Sequence, residues 1–124
     1  YQTTYDKAYI DELLEKLLAL GCRTVVLTGV AYDPAKTGVL VYDGNEVKCY
    51  EHAKEPNSCH GTGDIYASAF TGALLNGNSV YDSAVISAKY TVQCIKNTID
   101  DETHWYGAKF ETALPYLMQL LKLI

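Results

Sequence analysis

Between Asn57 and Asp64 the chain reads Asn-Ser-Cys-His-Gly-Thr-Gly-Asp, and it continues without a break into the apolar run Ile65-Tyr66-Ala67-Ser68-Ala69-Phe70. The apolar run predicts a helix, and two glycines flanking Thr62 leave its mouth uncovered by side chains. The first N–H groups of a helix have no intrahelical partner, and the aligned peptide dipoles add partial positive charge there. Such a mouth binds anions, phosphate above all. Asp64 falls in the first turn, where a carboxylate is electrostatically favoured and lies within reach of whatever the anion is attached to. A cradle of Gly61, Thr62 and Gly63 beside a base at Asp64 suits phosphoryl transfer to a hydroxyl. Taken alone, Gly-x-Gly-Asp is also ordinary punctuation at helix ends.

The elements that must carry this turn are legible on either side of it. From Asp6 to Leu18, Ile10, Leu13, Leu14, Leu17 and Leu18 keep helical spacing on one face, opposite Asp11, Glu12, Glu15 and Lys16, and Gly21 ends the helix. Thr24-Val25-Val26-Leu27-Thr28 is short, β-branched and apolar without alternation, as in a parallel strand covered on both faces. Helix, glycine and buried strand together predict an α/β fold. Thr28 and Gly29 stand at the strand's carboxyl end, where open α/β sheets place ligands; an ordinary exit into a loop reads the same way.

From Val39 to Tyr42 and from Val47 to Tyr50, two β-prone runs flank Asp43-Gly44-Asn45, which predicts a hairpin at the sheet edge with Glu46, Lys48 and Glu51 on its exposed face. A polar stretch, Ala53 to Ser58, delivers the chain to the glycine turn; its Lys54 could reach a nucleotide phosphate, but a loop lysine is usually just solvated and it is left outside the site. The helix bearing Asp64 extends to about Asn76 and is apolar or small all round, with Tyr66, Phe70 and Leu74 on one side and Ile65, Ala69 and Ala73 on the other. That composition predicts burial over most of its circumference. Gly77 stops it, and Ser79-Val80-Tyr81-Asp82 opens another helix as a capping box, with Ala84, Ala88, Val92, Ile95 and Ile99 as the inward stripe. A last helix spans Phe110 to Leu123, with Leu114, Leu117, Met118 and Leu121 facing in and Pro115 in its first turn.

Composition narrows the classes of function. With 124 residues the chain is one domain, small for an enzyme with separate substrate and nucleotide lobes. Fifteen acidic against ten basic residues give a net charge of −5, and the scattered charges argue against a nucleic-acid or anionic-membrane partner. No run is apolar and long enough to cross a bilayer and no leader precedes the fold, so a soluble cytoplasmic protein is expected. Cys22, Cys49, Cys59 and Cys94 show no zinc spacing and are expected reduced, all but Cys59 as small buried residues. Cys59 beside His60 is a poor nucleophile pair, because adjacent residues rarely point at each other. Asp100-Asp101-Glu102-Thr103-His104 cannot converge on one metal ion, and Trp105-Tyr106 reads as an anchor for that loop.

Cys59-His60-Gly61-Thr62-Gly63-Asp64-Ile65-Tyr66-Ala67-Ser68-Ala69 closely resembles the signature of the ribokinase superfamily in its vitamin B6 branch, the pyridoxal and pyridoxamine kinases. The Thr28-Gly29 strand end, the hairpin, the two helices after the glycine turn and the Trp-Tyr-Gly before the last helix extend the resemblance over nearly the whole chain. It implies a three-layer α/β/α fold with a mainly parallel sheet and an antiparallel edge hairpin, of which residues 1–124 form the carboxyl-terminal nucleotide-binding and catalytic portion. The upstream strands, lid and Mg²⁺-positioning segment of the family have no counterpart here. The activity implied for the intact protein, a homodimer, is transfer from MgATP to the 5′-hydroxymethyl group of pyridoxal, pyridoxine or pyridoxamine. Asp64 is then the base, at the acceptor hydroxyl. Gly61, Thr62 and Gly63 hold the phosphates, Thr28 and Gly29 neighbour the nucleotide, and Val92 and Ile95 wall the adenine, although their spacing equally suits plain core. A hydroxymethylpyrimidine kinase and a non-catalytic nucleotide-binding piece are the alternatives.

Overall fold

The computed structural model describes residues 6–54, 61–98 and 107–123. The readings placed on Asn57 to His60, Ile99 and residues 100–106 lie outside them. The chain forms two compact units, which divide between Lys54 and Glu55.

In the first unit, helix α1 (Lys7–Ala19) begins where Asp6 Oδ1 accepts the Tyr9 N–H at 2.8 Å, which satisfies one of the orphan donors of its first turn. It ends at Gly21, whose φ of 101° is open to glycine at no steric cost and whose N–H bonds Leu18 O at 3.0 Å. Ile10 and Leu14 pack with Val25, Val30 and Leu40 into one core. Strands β1 (Val25–Thr28), β2 (Lys36–Tyr42) and β3 (Val47–Ala53) lie in the order β1-β2-β3.

Both pairings are antiparallel, with Val25 opposite Tyr42 and Thr28 opposite Val39 in the first and Tyr42 opposite Val47 in the second. The mainly parallel sheet expected from the Val-Val-Leu run is therefore not the sheet of the described residues. The connection decides this: the seven residues 29–35 between β1 and β2 are too few for a parallel crossover, which takes a dozen or more. The hairpin is as expected but longer in both arms. Asp43 Oδ1 accepts the N–H groups of Asn45 and Glu46, each at 3.0 Å, and these bonds, that from Glu46 foremost, hold the carboxyl below the usual aspartate range.

In the second unit, α2 (Thr62–Leu75) packs along α3 (Val80–Thr98), and a 3₁₀ turn (Glu111–Ala113) leads into α4 (Leu114–Leu120). Gly77 N–H bonds Leu74 O and Asn78 N–H bonds Ala73 O, closing α2 with a Schellman motif. Ser79 Oγ accepts the Asp82 N–H at 3.0 Å at the start of α3, the capping expected there.

Three sequence expectations are corrected in this unit. First, α2 is not buried on most of its circumference: Ala69 and Ala73 are buried, but Leu74 and Leu75 are 41% and 83% exposed. Its small residues allow one close helix contact, and that contact with α3 covers one side only. Second, the buried stripe of α3 includes Ala84 and Ala88 but runs on through Ser83, Ser87, Tyr90, Cys94 and Thr98, leaving Val92 and Ile95 half-buried. Two of these hydroxyls tolerate burial because Ser87 donates to Ser83 O and Thr98 to Cys94 O, each at 2.7 Å within the helix, whereas the Ser83 hydroxyl is buried without a hydrogen-bond partner among the described residues. Third, the last helix starts at Leu114, with Pro115 in its first turn, and no residue of it is buried.

Candidate active site

The glycine turn takes the form its composition suggests, with one shift of role. Gly61 is the N-cap of α2 and lies in the left-handed region at φ 84°, where a side chain would be strained. Its carbonyl accepts the Ile65 N–H at 3.0 Å, the first intrahelical bond, so the N–H groups of Thr62, Gly63 and Asp64 belong to the open first turn. No side chain of the cap closes that turn. Gly63 is not in a positive-φ conformation, and a Cβ built on it meets nothing within 4 Å. The backbone demand therefore falls on Gly61, and Gly63 leaves open space in front of the turn.

Asp64 is exposed in this first turn. Its helix is tied to α3 by Tyr66, whose hydroxyl donates to Ala84 O at 2.9 Å, and burial pushes that phenol's pKa well up. Asp64 also stands at the rim of an apolar cavity of about 350 Å³ between α2 and α4, with Ile65, Gly72, Tyr90, Phe110 and Leu117 among its walls. Tyr90 donates to Phe110 O at 3.1 Å and fixes one end of this wall. Leu114, Leu117 and Leu121, expected to face the core, line the cavity, and of the three Leu117 also packs against the core formed by Ala69, Tyr90, Cys94, Ala108 and Ala113. Helical spacing marks which side of α4 is apolar and carries no signal of how closely that side is covered. Val92 and Ile95 are not among the residues lining it.

Thr28 and Gly29 lie in the other unit, at the carboxyl end of β1 as expected. Thr28 is exposed, and Gly29, at φ 73°, turns the chain out of the strand while its N–H bonds Gly38 O at 2.9 Å. Gly29 lines a cavity of about 300 Å³ walled by the loop 29–35 together with Lys7, Lys36 and Lys54. Lys54, read from the sequence as an ordinary loop lysine, thus shares a cavity with Gly29. Gly38 was also missed: a Cβ there would sit 1.9 Å from Tyr50 O, so β3 approaches as closely as only glycine permits.

Of the cysteines expected to be buried, only Cys94 is; Cys49 is half-buried and Cys22 exposed. A Val-Val-Leu strand and a Leu-rich helix supply enough apolar surface for their core without Cys22. Burial raises the Cys94 thiol pKa, which makes it a poor nucleophile. Among the described residues no three His, Cys, Asp or Glu side chains gather as a metal site, and no helix is long and apolar enough to cross a membrane.

The fold is similar to that of solved structures described as kinases. A Bacteroides thetaiotaomicron protein assigned to the phosphomethylpyrimidine kinases matches with a TM-score of 0.80 and 27% identity, over 97% of this chain and 41% of its own. Its orthorhombic crystal form, solved with pyridoxal, matches with a TM-score of 0.78 and 25% identity, over 94% of this chain and 43% of its own. Pyridoxal kinase from Lactobacillus plantarum shares the fold, with a TM-score of 0.77 at 22% identity, over 99% of this chain and 45% of its own. The fold so defined is ribokinase-like. The family model of phosphomethylpyrimidine kinase matches residues 2–107, and the chain belongs to that family.

Among curated relatives, the pyridoxine/pyridoxal/pyridoxamine kinases of Bordetella bronchiseptica and Bordetella avium are 31% and 30% identical over 85 and 86 residues. These matches cover 66% and 67% of this chain, and the chain spans only about 30% of the length of those relatives.

Proposed function

We propose that the intact protein phosphorylates the 5′-hydroxymethyl group of a vitamin B6 compound, pyridoxal, pyridoxine or pyridoxamine, with ATP as donor. The observation that carries this is the open first turn of α2, which Gly61 sets with its left-handed backbone and which holds Asp64 exposed beside the free N–H groups. Asp64 accepts the hydroxyl proton as the acceptor oxygen bonds to the γ-phosphorus and the bond to the leaving ADP breaks. The N–H groups of Gly61, Thr62, Gly63 and Asp64 take up charge on the transferring phosphoryl. Thr28 and Gly29 adjoin the nucleotide, and Val92 and Ile95 wall its base. Mg²⁺, when bound with the nucleotide, neutralises phosphate charge; no described residue is assigned to hold it.

The choice of a B6 acceptor is supported by the names of the Bordetella relatives and by the pyridoxal in the Bacteroides crystal. The family description, which names phosphomethylpyrimidine, supports a second reading with a pyrimidine acceptor, such as a hydroxymethylpyrimidine kinase. Because the chain spans about 30% of those relatives, these 124 residues alone are proposed to be the carboxyl-terminal catalytic portion, to bind ATP weakly and to turn over no acceptor. A cytoplasmic homodimer is the expected form of the intact protein. The test is ATP consumption by the intact protein with pyridoxal, pyridoxine, pyridoxamine and hydroxymethylpyrimidine in turn. B6-dependent turnover supports the reading, and turnover with the pyrimidine alone replaces it by the second. Failure with every alcohol leaves a nucleotide-binding protein without transfer activity.

A further inference from the structure

The loop 29–35 forms much of the wall of the cavity that Gly29 lines, and it is held at three points. At its base, Gly38 O accepts the N–H groups of Gly29 and Val30 at 2.9 and 3.3 Å. On its far side Asp33 closes a turn, its Oδ1 accepting the Ala35 N–H at 2.9 Å and its carbonyl the Lys36 N–H at 3.0 Å. At its middle, Glu51 Oε1 accepts the Tyr32 N–H at 3.0 Å, across nineteen residues of sequence. This third point is a long-range bond from a side chain to the loop backbone.

Glu51 stands on β3 opposite Gly38, and the missing side chain at Gly38 lets β3 approach closely. Glu51 is not in the cavity wall, whereas Tyr32 is. The Tyr32 ring lies 5.7 Å from Lys7 Nζ, and Lys7 is itself paired with Asp11 at 2.6 Å, so the ring has a second, weaker hold on α1. A loop without Glu51 would keep its base, its far turn and the ring contacts of Tyr32 but lose the bond that ties the Tyr32 backbone to β3.

We propose that Glu51 is a positioning residue for nucleotide binding: it acts through the Tyr32 N–H to hold the loop 29–35 as the wall of the cavity beside Thr28 and Gly29, and it touches no substrate. The inference rests on the reading of that cavity as part of the ATP site. An acceptor oxygen is what the role requires, and negative charge is not.

The test uses the intact protein with Glu51→Ala and Glu51→Gln, read by amide exchange at Tyr32, by ATP binding and by steady-state kinetics. In Glu51→Ala the Tyr32 amide exchanges faster and the KM for ATP rises about 3- to 10-fold, as expected for loss of one hydrogen bond, with kcat at saturating ATP unchanged. Glu51→Gln, whose amide oxygen accepts the same N–H, restores most of both. Unchanged exchange in Glu51→Ala overturns the clamp. Faster exchange with unchanged ATP affinity overturns its role in nucleotide binding, as does a Gln variant no better than Ala. Failure of the parent protein to bind ATP at all is a different result, since it removes the functional reading on which the inference stands.

Discussion

Replacing Gly38 with alanine adds one methyl group and should cost more than any other single methyl in the sheet. The Cβ would lie 1.9 Å from Tyr50 O and 2.9 Å from both Tyr50 C and Glu51 Cα. All three atoms are backbone, so no rotamer change relieves the overlap, and β2 and β3 must separate by more than an ångström. Overpacking in a close-packed interior typically costs about 1–3 kcal/mol, and an unrelieved backbone clash belongs at the upper end. A loss of about 3 kcal/mol is expected in urea unfolding of the intact protein, with the m-value unchanged. Gly38 O also receives the N–H groups of Gly29 and Val30, so the residual folded protein should bind ATP more weakly. An alanine variant within about 0.5 kcal/mol of the parent, the spread of an ordinary surface substitution, would refute the close approach.

Gly63→Ala separates punctuation from function. Its Cβ meets no atom within 4 Å and its φ is not positive, so folding should be unharmed or gain up to about 1 kcal/mol from helix propensity. ATP use should nonetheless fall, because the methyl group occupies the space before the open turn; full ATP affinity and turnover would show that space to be unused. Asp43 tests the hairpin by pH. Its folded pKa lies below the usual 3.8, so its stabilising bonds to Asn45 and Glu46 are fully present above that value and are lost as pH falls through the lowered folded one. Amide resonances of Asn45 and Glu46 should report that titration, and a midpoint at or above the usual value would contradict it.

The parts of the fold that were legible in the sequence depend on local chemistry. Ser79 caps a helix, Gly21 and Gly77 end helices, and Asp43 bends the hairpin through bonds to residues two and three positions away. What escaped depends on contacts between distant segments. Val25-Val26-Leu27 reads alike in a parallel or an antiparallel sheet, and pairing with β2 is decided across a loop. The inward side of α3 was displaced because Ser83, Ser87 and Thr98 count as polar in any periodicity, whereas bonds back to the preceding turn let two of those hydroxyls sit inside. At the candidate site, the position of Asp64 in a first turn was legible from glycine spacing alone. The division of labour between Gly61 and Gly63 was not, since both glycines look the same until φ is known. Glu51 was read as an exposed edge residue because its partner, the Tyr32 N–H, is a backbone group that no side-chain pattern reveals.

The central claim is that Asp64 removes the acceptor proton beside a phosphate-binding turn, and Asp64→Asn in the intact protein tests it most directly. Asparagine keeps the size and shape of the side chain and cannot take the proton. Turnover with the preferred acceptor should fall by about 10²–10⁴-fold, the range for loss of a general base, while ATP binding measured by calorimetry stays close to that of the parent. An asparagine variant that turns over like the parent, or one whose only defect is weakened ATP binding, would contradict the account.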